Sequence, residues 1–224
     1  MKVEPLTIVA FGDSTTAPRE VEGTALRVYA DILREALPQR GMPAQVINAG
    51  VGGNNTEQAR ARFETDVLAH APDIAIIQFG LNDSCIDVWD GKDKPRVTRE
   101  AYLENLRYFV ETLRARGCDV ILMTPNPMRW TEPLLKLYGK APFDVQDPWG
   151  FNLTNHDYAQ GVRDLAKELE VPLVDVYQLF YDYDAVAGQS TDDLLLDGMH
   201  PNNLGHAMIA DWLTDVIMAM ANGA

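Results

Sequence analysis

The chain alternates short apolar runs with segments whose apolar residues recur every three or four positions. The first run covers residues 6–11 without polar alternation, which is typical of a strand buried on both faces of a sheet. The recurring spacing is typical of amphipathic helices. The pattern predicts strands over residues 6–11, 45–49, 74–79, 120–123 and 173–176, and helices over residues 25–37, 56–70, 98–116, 155–170 and 204–220.

This alternation predicts an α/β fold with a mostly parallel sheet, because parallel strands need crossover connections that place helices on the faces of the sheet. Right-handed crossovers make the arrangement a three-layer α/β/α sandwich. At 224 residues the chain is long enough for one substantial core, so we expect a single domain over residues 1–224.

Two connections, residues 84–97 and 125–154, are longer than crossovers need. Their tryptophans and prolines argue against disorder. Both follow the carboxyl ends of predicted strands, the edge at which open α/β sheets bind ligands, so we expect them to form the walls of a pocket. In an equally good interpretation, Trp130 and Trp149 only anchor the second connection to the body of the protein.

Composition and charge narrow the possible partners. The formal net charge is −14, so nucleic acids and anionic membrane surfaces would be repelled, whereas neutral or cationic small molecules would not. Residues 1–5 contain no secretory signal and no apolar run approaches membrane-spanning length. We therefore expect no membrane insertion, and a cytoplasmic protein or a secreted one whose signal has been removed. Two cysteines, Cys85 and Cys118, are too few for a disulfide framework, and we expect both to be buried thiols.

Candidate chemistry begins at Ser14, in the Gly-Asp-Ser turn after the first predicted strand. A serine hydroxyl becomes nucleophilic only when a neighbouring base takes its proton, and that base must be held in the correct tautomer. His200 can be this base, and Asp197, three residues earlier, can orient it. Taken singly, Ser14 has an alternative role as a helix cap, and the Asp-x-x-His spacing an alternative as a surface pair.

An acyl-transfer site also needs hydrogen-bond donors for the oxyanion of the tetrahedral intermediate. The backbone N–H of Ser14, that of a glycine in the bend at residues 50–53 and the side-chain amide of Asn82 are available at strand ends. Each feature has a simpler explanation by itself, since glycines suit flexible turns and asparagine suits a hydrogen-bonded turn.

Together these segments resemble the four sequence blocks of SGNH hydrolases, also called GDSL esterases/lipases. The blocks occur in the family's order and span most of the chain. The resemblance implies a flavodoxin-like sandwich with a five-stranded sheet in the order 2-1-3-4-5. The segments are Gly12-Asp13-Ser14, the glycine-asparagine bend after the second strand, Gly80-x-Asn82-Asp83 and Asp197-x-x-His200-Pro201.

The resemblance also implies a role for each matching residue. Ser14 corresponds to the nucleophile, His200 to the general base and Asp197 to the residue that orients it. The oxyanion donors correspond to Ser14, Gly53 and Asn82, with the preceding glycine as the alternative to Gly53. Residues that we expect to line the substrate pocket are Asp13, Asn54, Asp83, Ser84, Trp130 and Trp149.

The implied reaction is hydrolysis of an ester through an acyl-enzyme, with no metal and no cofactor. Tryptophans in the long connections suit stacking on a sugar, so the favoured substrates are short-chain acyl esters, above all acetylated carbohydrate. A lysophospholipase or thioesterase of the same family is the alternative. In another class, a non-catalytic flavodoxin-like binder would use the glycine-rich bend to hold a phosphate at a helix N-terminus.

Overall fold

The computed structural model describes residues 5–221 and contains a five-stranded parallel sheet. The strands are β1 (Leu6–Gly12), β2 (Arg19–Val21), β3 (Thr24–Leu26), β4 (Ala44–Gly50), β5 (Ile74–Gln78), β6 (Asp119–Met123) and β7 (Leu173–Val174). The sheet has the order β4-β1-β5-β6-β7, while β2 and β3 pair with each other as an antiparallel hairpin. Counting only the strands of the main sheet, this is the predicted order 2-1-3-4-5, so the α/β fold prediction is confirmed.

Helices cover both faces of the sheet. They are α1 (Tyr29–Gln39), α2 (Thr56–Asp66), α3 (Leu81–Ser84), α4 (Arg99–Arg114), α5 (Glu132–Tyr138), α6 (Asn155–Leu169), α7 (Val176–Asp184) and α8 (Asn203–Ala221). Within residues 5–221, none of them combines the length and the apolar character needed to cross a bilayer.

The sheet separates two apolar cores because successive side chains of a strand point to opposite faces. In β1, Val9 and Phe11 belong to the core under α2, α4 and α6, whereas Ile8 and Ala10 belong to the core under α1 and α8. All four side chains are fully buried. The unbroken apolar pattern of the first strand therefore reflects burial on both faces.

The first predicted helix begins later than expected. Residues 25–26 belong to the hairpin, whose turn places Glu22 and Gly23 in the left-handed region with φ of 51° and 76°. Helix α1 starts at Tyr29 and continues one residue beyond Pro38. Strands of three residues are too short to give a periodic signal. The apolar residues of β3 were therefore counted as part of the predicted helix.

Three helices were not predicted from the sequence, and the shortest is α3, in the segment expected only as a turn. Helix α5 lies within residues 125–154, and α7 follows a final strand that ends two residues earlier than expected. That strand ends because the side chain of Asp175 caps α7 by accepting a hydrogen bond from the backbone N–H of Gln178 at 3.1 Å.

Candidate active site

Ser14 lies in the tight turn that follows β1. Strand β1 ends at Gly12, where a Cβ atom would lie only 2.1 Å from Thr16 Oγ1, so the close approach requires glycine. Asp13 holds the turn, because its Oδ1 accepts hydrogen bonds from the backbone N–H and the hydroxyl of Thr15 at 2.8 and 2.9 Å. The turn leaves Ser14 partly exposed at the carboxyl edge of the sheet.

His200 lies on the loop before α8, and Asp197 organises this loop. Asp197 Oδ1 accepts hydrogen bonds from the backbone N–H groups of Met199 and His200, each at 3.0 Å. Gly198 has φ of 86°, and a Cβ atom there would lie 2.4 Å from the carbonyl oxygen of Arg129. Arg129 in turn donates its N–H to the carbonyl of Gly198 at 2.8 Å, which fixes the loop to the segment after β6.

These two segments bring three predicted residues into one hydrogen-bonded chain. Ser14 Oγ lies 2.9 Å from His200 Nε2, and His200 Nδ1 lies 2.8 Å from Asp197 Oδ2. The serine and histidine are 186 residues apart in the sequence. Such a chain can pass a proton from the hydroxyl to the imidazole while the carboxylate holds the ring in place.

The carboxylate of Asp197 is held in its ionised form. Partial burial alone would raise its pKa, but hydrogen bonds and charge attraction from His200 and the loop N–H groups outweigh burial and hold the pKa well below 3.8. Arg19 Nη1 adds a cation 3.6 Å from Asp197 Oδ2. An ionised carboxylate accepts the hydrogen of Nδ1, so the neutral imidazole presents Nε2 as the acceptor for the serine hydroxyl.

The predicted oxyanion donors surround the same pocket. Gly52 and Gly53 both line it, and a Cβ atom on Gly52 would lie 4.0 Å from Ser14 Cβ. Gly53 has φ of 76°. The Nδ2 atom of Asn82 donates to the carbonyl of Asn54 at 3.0 Å, and a side-chain amide has two N–H donors. The candidate donors and the imidazole of His200 therefore line one pocket.

Four residues expected on the pocket wall support it from beneath, which corrects the prediction. Asp13, Asp83 and Ser84 are at most 1% exposed. Asn54 accepts a hydrogen bond from Arg62 Nε at 2.8 Å through its side-chain oxygen, on the side of α2. Asp13, Asp83 and Asn54 accept hydrogen bonds from neighbouring donors, and Ser84 Oγ donates to the carbonyl of Leu81 at 3.5 Å, so all four side chains are engaged within the protein.

The two tryptophans of residues 125–154 also lie outside this pocket. Trp130 stacks on Phe151 with ring centroids 4.6 Å apart, and its indole N–H donates to the carbonyl of Asp144 at 3.3 Å. Trp149 packs against Tyr181 and lines a separate groove of about 400 Å³. For Trp130 the anchoring interpretation is correct, and neither ring supports the sugar-stacking argument at the pocket.

Other residues complete the walls of the pocket, whose volume is about 360 Å³. The two arginines among them carried no signal in the sequence, because their position depends on the β2–β3 hairpin and on the folding of residues 84–97. Cys85 is buried, as expected, and stood out in the sequence only by its closeness to Asn82. These additional residues are Arg19, Leu81, Cys85, Arg96, Tyr138 and Met199.

Two buried carboxyl groups lie directly behind the pocket. Burial raises the pKa of Asp83 from 3.8 to about 7, although the N–H and hydroxyl of Thr56 donate to its Oδ1. Its Oδ2 atom has no hydrogen-bond partner within residues 5–221. Burial also raises the pKa of Asp13, and the negative charge of Asp13 acts on Asp83 in the same direction.

The phosphate-binding alternative does not fit the glycine-rich bend. Two N–H groups in the first turn of α2 are already satisfied by side chains of the protein. Thr56 N donates to Asp83 Oδ1 at 2.9 Å, and Gln58 N donates to Asn55 Oδ1 at 3.0 Å. An anion at this helix N-terminus would have to displace a buried carboxylate and a capping asparagine.

Comparison with known proteins identifies relatives over most of the chain. The lipoprotein YqeF of Bacillus subtilis is 37% identical over 197 residues, which are 84% of this chain and 77% of that protein. An acetylxylan esterase of Geobacillus stearothermophilus is 29% identical over 84% of this chain and 78% of its own length.

The fold and the sequence pattern agree with these relatives. The crystal structure of a lipase/acylhydrolase from Enterococcus faecalis superposes with a TM-score of 0.72 at 24% identity, covering 95% of both chains. Residues 10–208 match the pattern of the GDSL-like lipase/acylhydrolase family, which is most of the chain and includes Ser14, Asn82, Asp197 and His200. The chain therefore belongs to the GDSL-like lipase/acylhydrolase family and is a carboxylic ester hydrolase.

Proposed function

We propose that this hydrolase cleaves esters through an acyl-enzyme formed on Ser14. The observation that carries this proposal is the hydrogen-bonded chain from Ser14 through His200 to Asp197, with contacts of 2.9 and 2.8 Å. In the first step Ser14 Oγ attacks the ester carbonyl while His200 Nε2 accepts the hydroxyl proton. Asp197 stabilises the imidazolium that forms, because its own carboxylate remains ionised.

The negative charge that develops on the carbonyl oxygen needs donors that are already in place. Ser14 N–H, Gly53 N–H and the second N–H of Asn82 Nδ2, whose contact with Asp13 Oδ2 is long at 3.5 Å, supply them in this proposal. In other acyl-transfer enzymes the loss of one such donor lowers kcat by about 10²- to 10³-fold. Collapse of the tetrahedral intermediate expels the alcohol, which takes the proton from His200. Water then attacks the acyl carbon while His200 accepts its proton, and His200 returns that proton to Ser14 Oγ as the acid is released.

For the substrate we propose a short-chain acyl ester, with acetylated carbohydrate as the favoured alcohol part. On the apolar side of the pocket, Cys85 Sγ and Tyr138 Oη lie 3.7 Å apart, and both residues are 6% exposed. In this proposal these two side chains close the end of the acyl subsite, which then suits a short acyl group such as acetyl. The relative that is named an acetylxylan esterase favours a carbohydrate ester.

Rates on esters of increasing chain length test the acyl preference. We expect kcat/KM to fall from p-nitrophenyl acetate to the hexanoate and the decanoate, because the acyl subsite proposed beside Tyr138 is short. Release of acetate from acetylated xylan, compared with the same xylan chemically deacetylated, tests the alcohol part. A higher kcat/KM on the decanoate, or turnover of acyl thioesters but not acetylated xylan, would favour the lysophospholipase or thioesterase alternative.

A further inference from the structure

A second chain of hydrogen bonds, separate from the one that contains Ser14, ends on Asn82. Arg96 Nη1 donates to Asn82 Oδ1 at 3.1 Å. On its other edge the same guanidinium makes a two-pronged contact with Asp87, with Nε to Oδ2 at 2.8 Å and Nη2 to Oδ1 at 2.6 Å. Such paired contacts fix both the direction and the plane of a guanidinium.

The backbone holds Arg96 beside the segment that carries Asn82. Arg96 N donates to the carbonyl of Cys85 at 3.0 Å, and Val97 N donates to the carbonyl of Asp83 at 3.1 Å. Asp87 is fixed in turn, since Trp89 Nε1 donates to its Oδ1 at 3.2 Å. Residues 84–97, which the sequence predicts as a wall of the pocket, therefore form a closed clamp next to it.

This clamp determines which way the amide of Asn82 points. The two ends of an asparagine amide are nearly the same size, so packing alone does not distinguish them. Arg96 has only donors, and it therefore selects Oδ1 on its side. Nδ2 then faces the carbonyl of Asn54 at 3.0 Å and Asp13 Oδ2 at 3.5 Å, which are acceptors. A flipped amide would set donors against donors and acceptors against acceptors.

We propose that Arg96, held by Asp87, is a positioning residue that keeps Asn82 Nδ2 directed at the oxyanion of the ester being hydrolysed. This inference rests on the proposed acyl-enzyme reaction and adds to it two residues outside the Ser14, His200 and Asp197 chain. Arg96 acts through Asn82 because its hydrogen bond is to Oδ1, the atom that does not face the oxyanion.

The charge of Arg96 strengthens the same effect. A cation at Oδ1 polarises the amide, and the Nδ2 hydrogens become better donors. The buried carboxyl of Asp13, 3.5 Å from Nδ2, opposes a negative oxyanion when it is ionised. Asp87 neutralises part of the guanidinium charge. The remaining positive charge offsets the repulsion between the Asp13 carboxylate and the oxyanion. Loss of Arg96 is therefore expected to affect the transition state more than the bound ester.

A double-mutant cycle tests this assignment on the full-length protein with p-nitrophenyl acetate. We expect Arg96→Met to lower kcat by about 10- to 100-fold with KM within about twofold, since one oxyanion donor is worth up to about 10³-fold in kcat. In an Asn82→Ala background the same substitution should change kcat by less than about threefold, because the group through which Arg96 acts is gone. Arg96→Lys, which retains the charge but not the fork, should lose less than Arg96→Met.

The controls separate this role from a general loss of structure. Arg107→Met removes a partly exposed arginine on α4 that pairs with Glu168 at 2.7 Å, and it should leave both kcat and KM unchanged. Multiplicative effects of Arg96→Met and Asn82→Ala, or an effect of Arg96→Met that falls on KM, would overturn the positioning role. If Ser14→Ala retained full activity, the proposed reaction itself would fail, whatever the cycle shows.

Discussion

The burial of the Asp83 carboxyl predicts how the stability of the fold depends on pH. Its pKa is raised from 3.8 to about 7 by burial, and its Oδ2 atom has no partner within the described part of the chain. Asp83→Asn replaces that oxygen by an NH₂ group, which does not ionise. The remaining amide oxygen can still accept the hydrogen bonds from Thr56.

The sign of the pH effect follows from proton binding. Between about pH 4 and pH 7 the folded protein retains the proton on Asp83, whereas the unfolded chain has lost it. The free energy of unfolding of the native sequence therefore falls by about 1.4 kcal/mol per pH unit over this range and levels off above it. From pH 5 to pH 8 ionisation of Asp83 lowers the free energy of unfolding by about 3 kcal/mol. Asp83→Asn has no carboxyl at this position, so its free energy of unfolding is not lowered in this way.

Urea denaturation followed by tryptophan fluorescence measures both proteins at pH 5 and pH 8. Taking the difference between their free energies of unfolding cancels the contribution of the titratable groups that both proteins share. Between pH 5 and pH 8 this difference should shift by about 3 kcal/mol in favour of Asp83→Asn. Asp211→Asn, an exposed carboxylate on α8, is the matched control and should show no such shift. An equal difference at both pH values would refute the argument that Asp83 is buried as a protonated acid.

The remaining predictions concern the reaction. Ser14→Ala should abolish ester turnover while the melting temperature, measured by calorimetry, stays within a few degrees, because a partly exposed hydroxyl contributes little to the core; retained turnover would count against the nucleophile. Asp197→Asn should lower kcat by about 10³- to 10⁴-fold in steady-state assays, because the imidazole loses its orienting carboxylate; a loss below tenfold would contradict this role. Initial rates should fall as the pH drops from 8 to 5, because a protonated histidine cannot accept the serine proton; a flat profile would exclude His200 as the base.

Much of the fold was predictable because buried parallel strands leave an unbroken apolar signal. The runs at residues 6–11, 74–79 and 120–123 coincide with β1, β5 and β6 to within a residue or two. The β2–β3 hairpin and α7 were missed for a physical reason. Three-residue strands have no periodicity, and the apolar residues at the start of α7 continue the pattern of the strand before it.

Some residues of the candidate site could be predicted from the sequence and others could not. Ser14, Asn82, Asp197 and His200 each follow a strand end or precede the last helix, so their meeting at one edge follows from the topology. Arg96 could not be predicted, because it depends on the path of residues 84–97 and on a carboxylate nine residues away in the sequence. The prediction that Trp130 and Trp149 line the substrate pocket failed because large aromatic rings stabilise a long connection as readily as they bind a sugar.

The most direct test of the central claim is to label the native protein with a fluorophosphonate and to locate the adduct by mass spectrometry of its peptides. If Ser14 is activated by His200, one phosphonyl group is expected per chain, on the peptide that contains Ser14. Labelling should be lost in His200→Ala. An unlabelled Ser14 in active protein, or equal labelling of Ser84 and Ser190, would contradict the acyl-enzyme reaction proposed here.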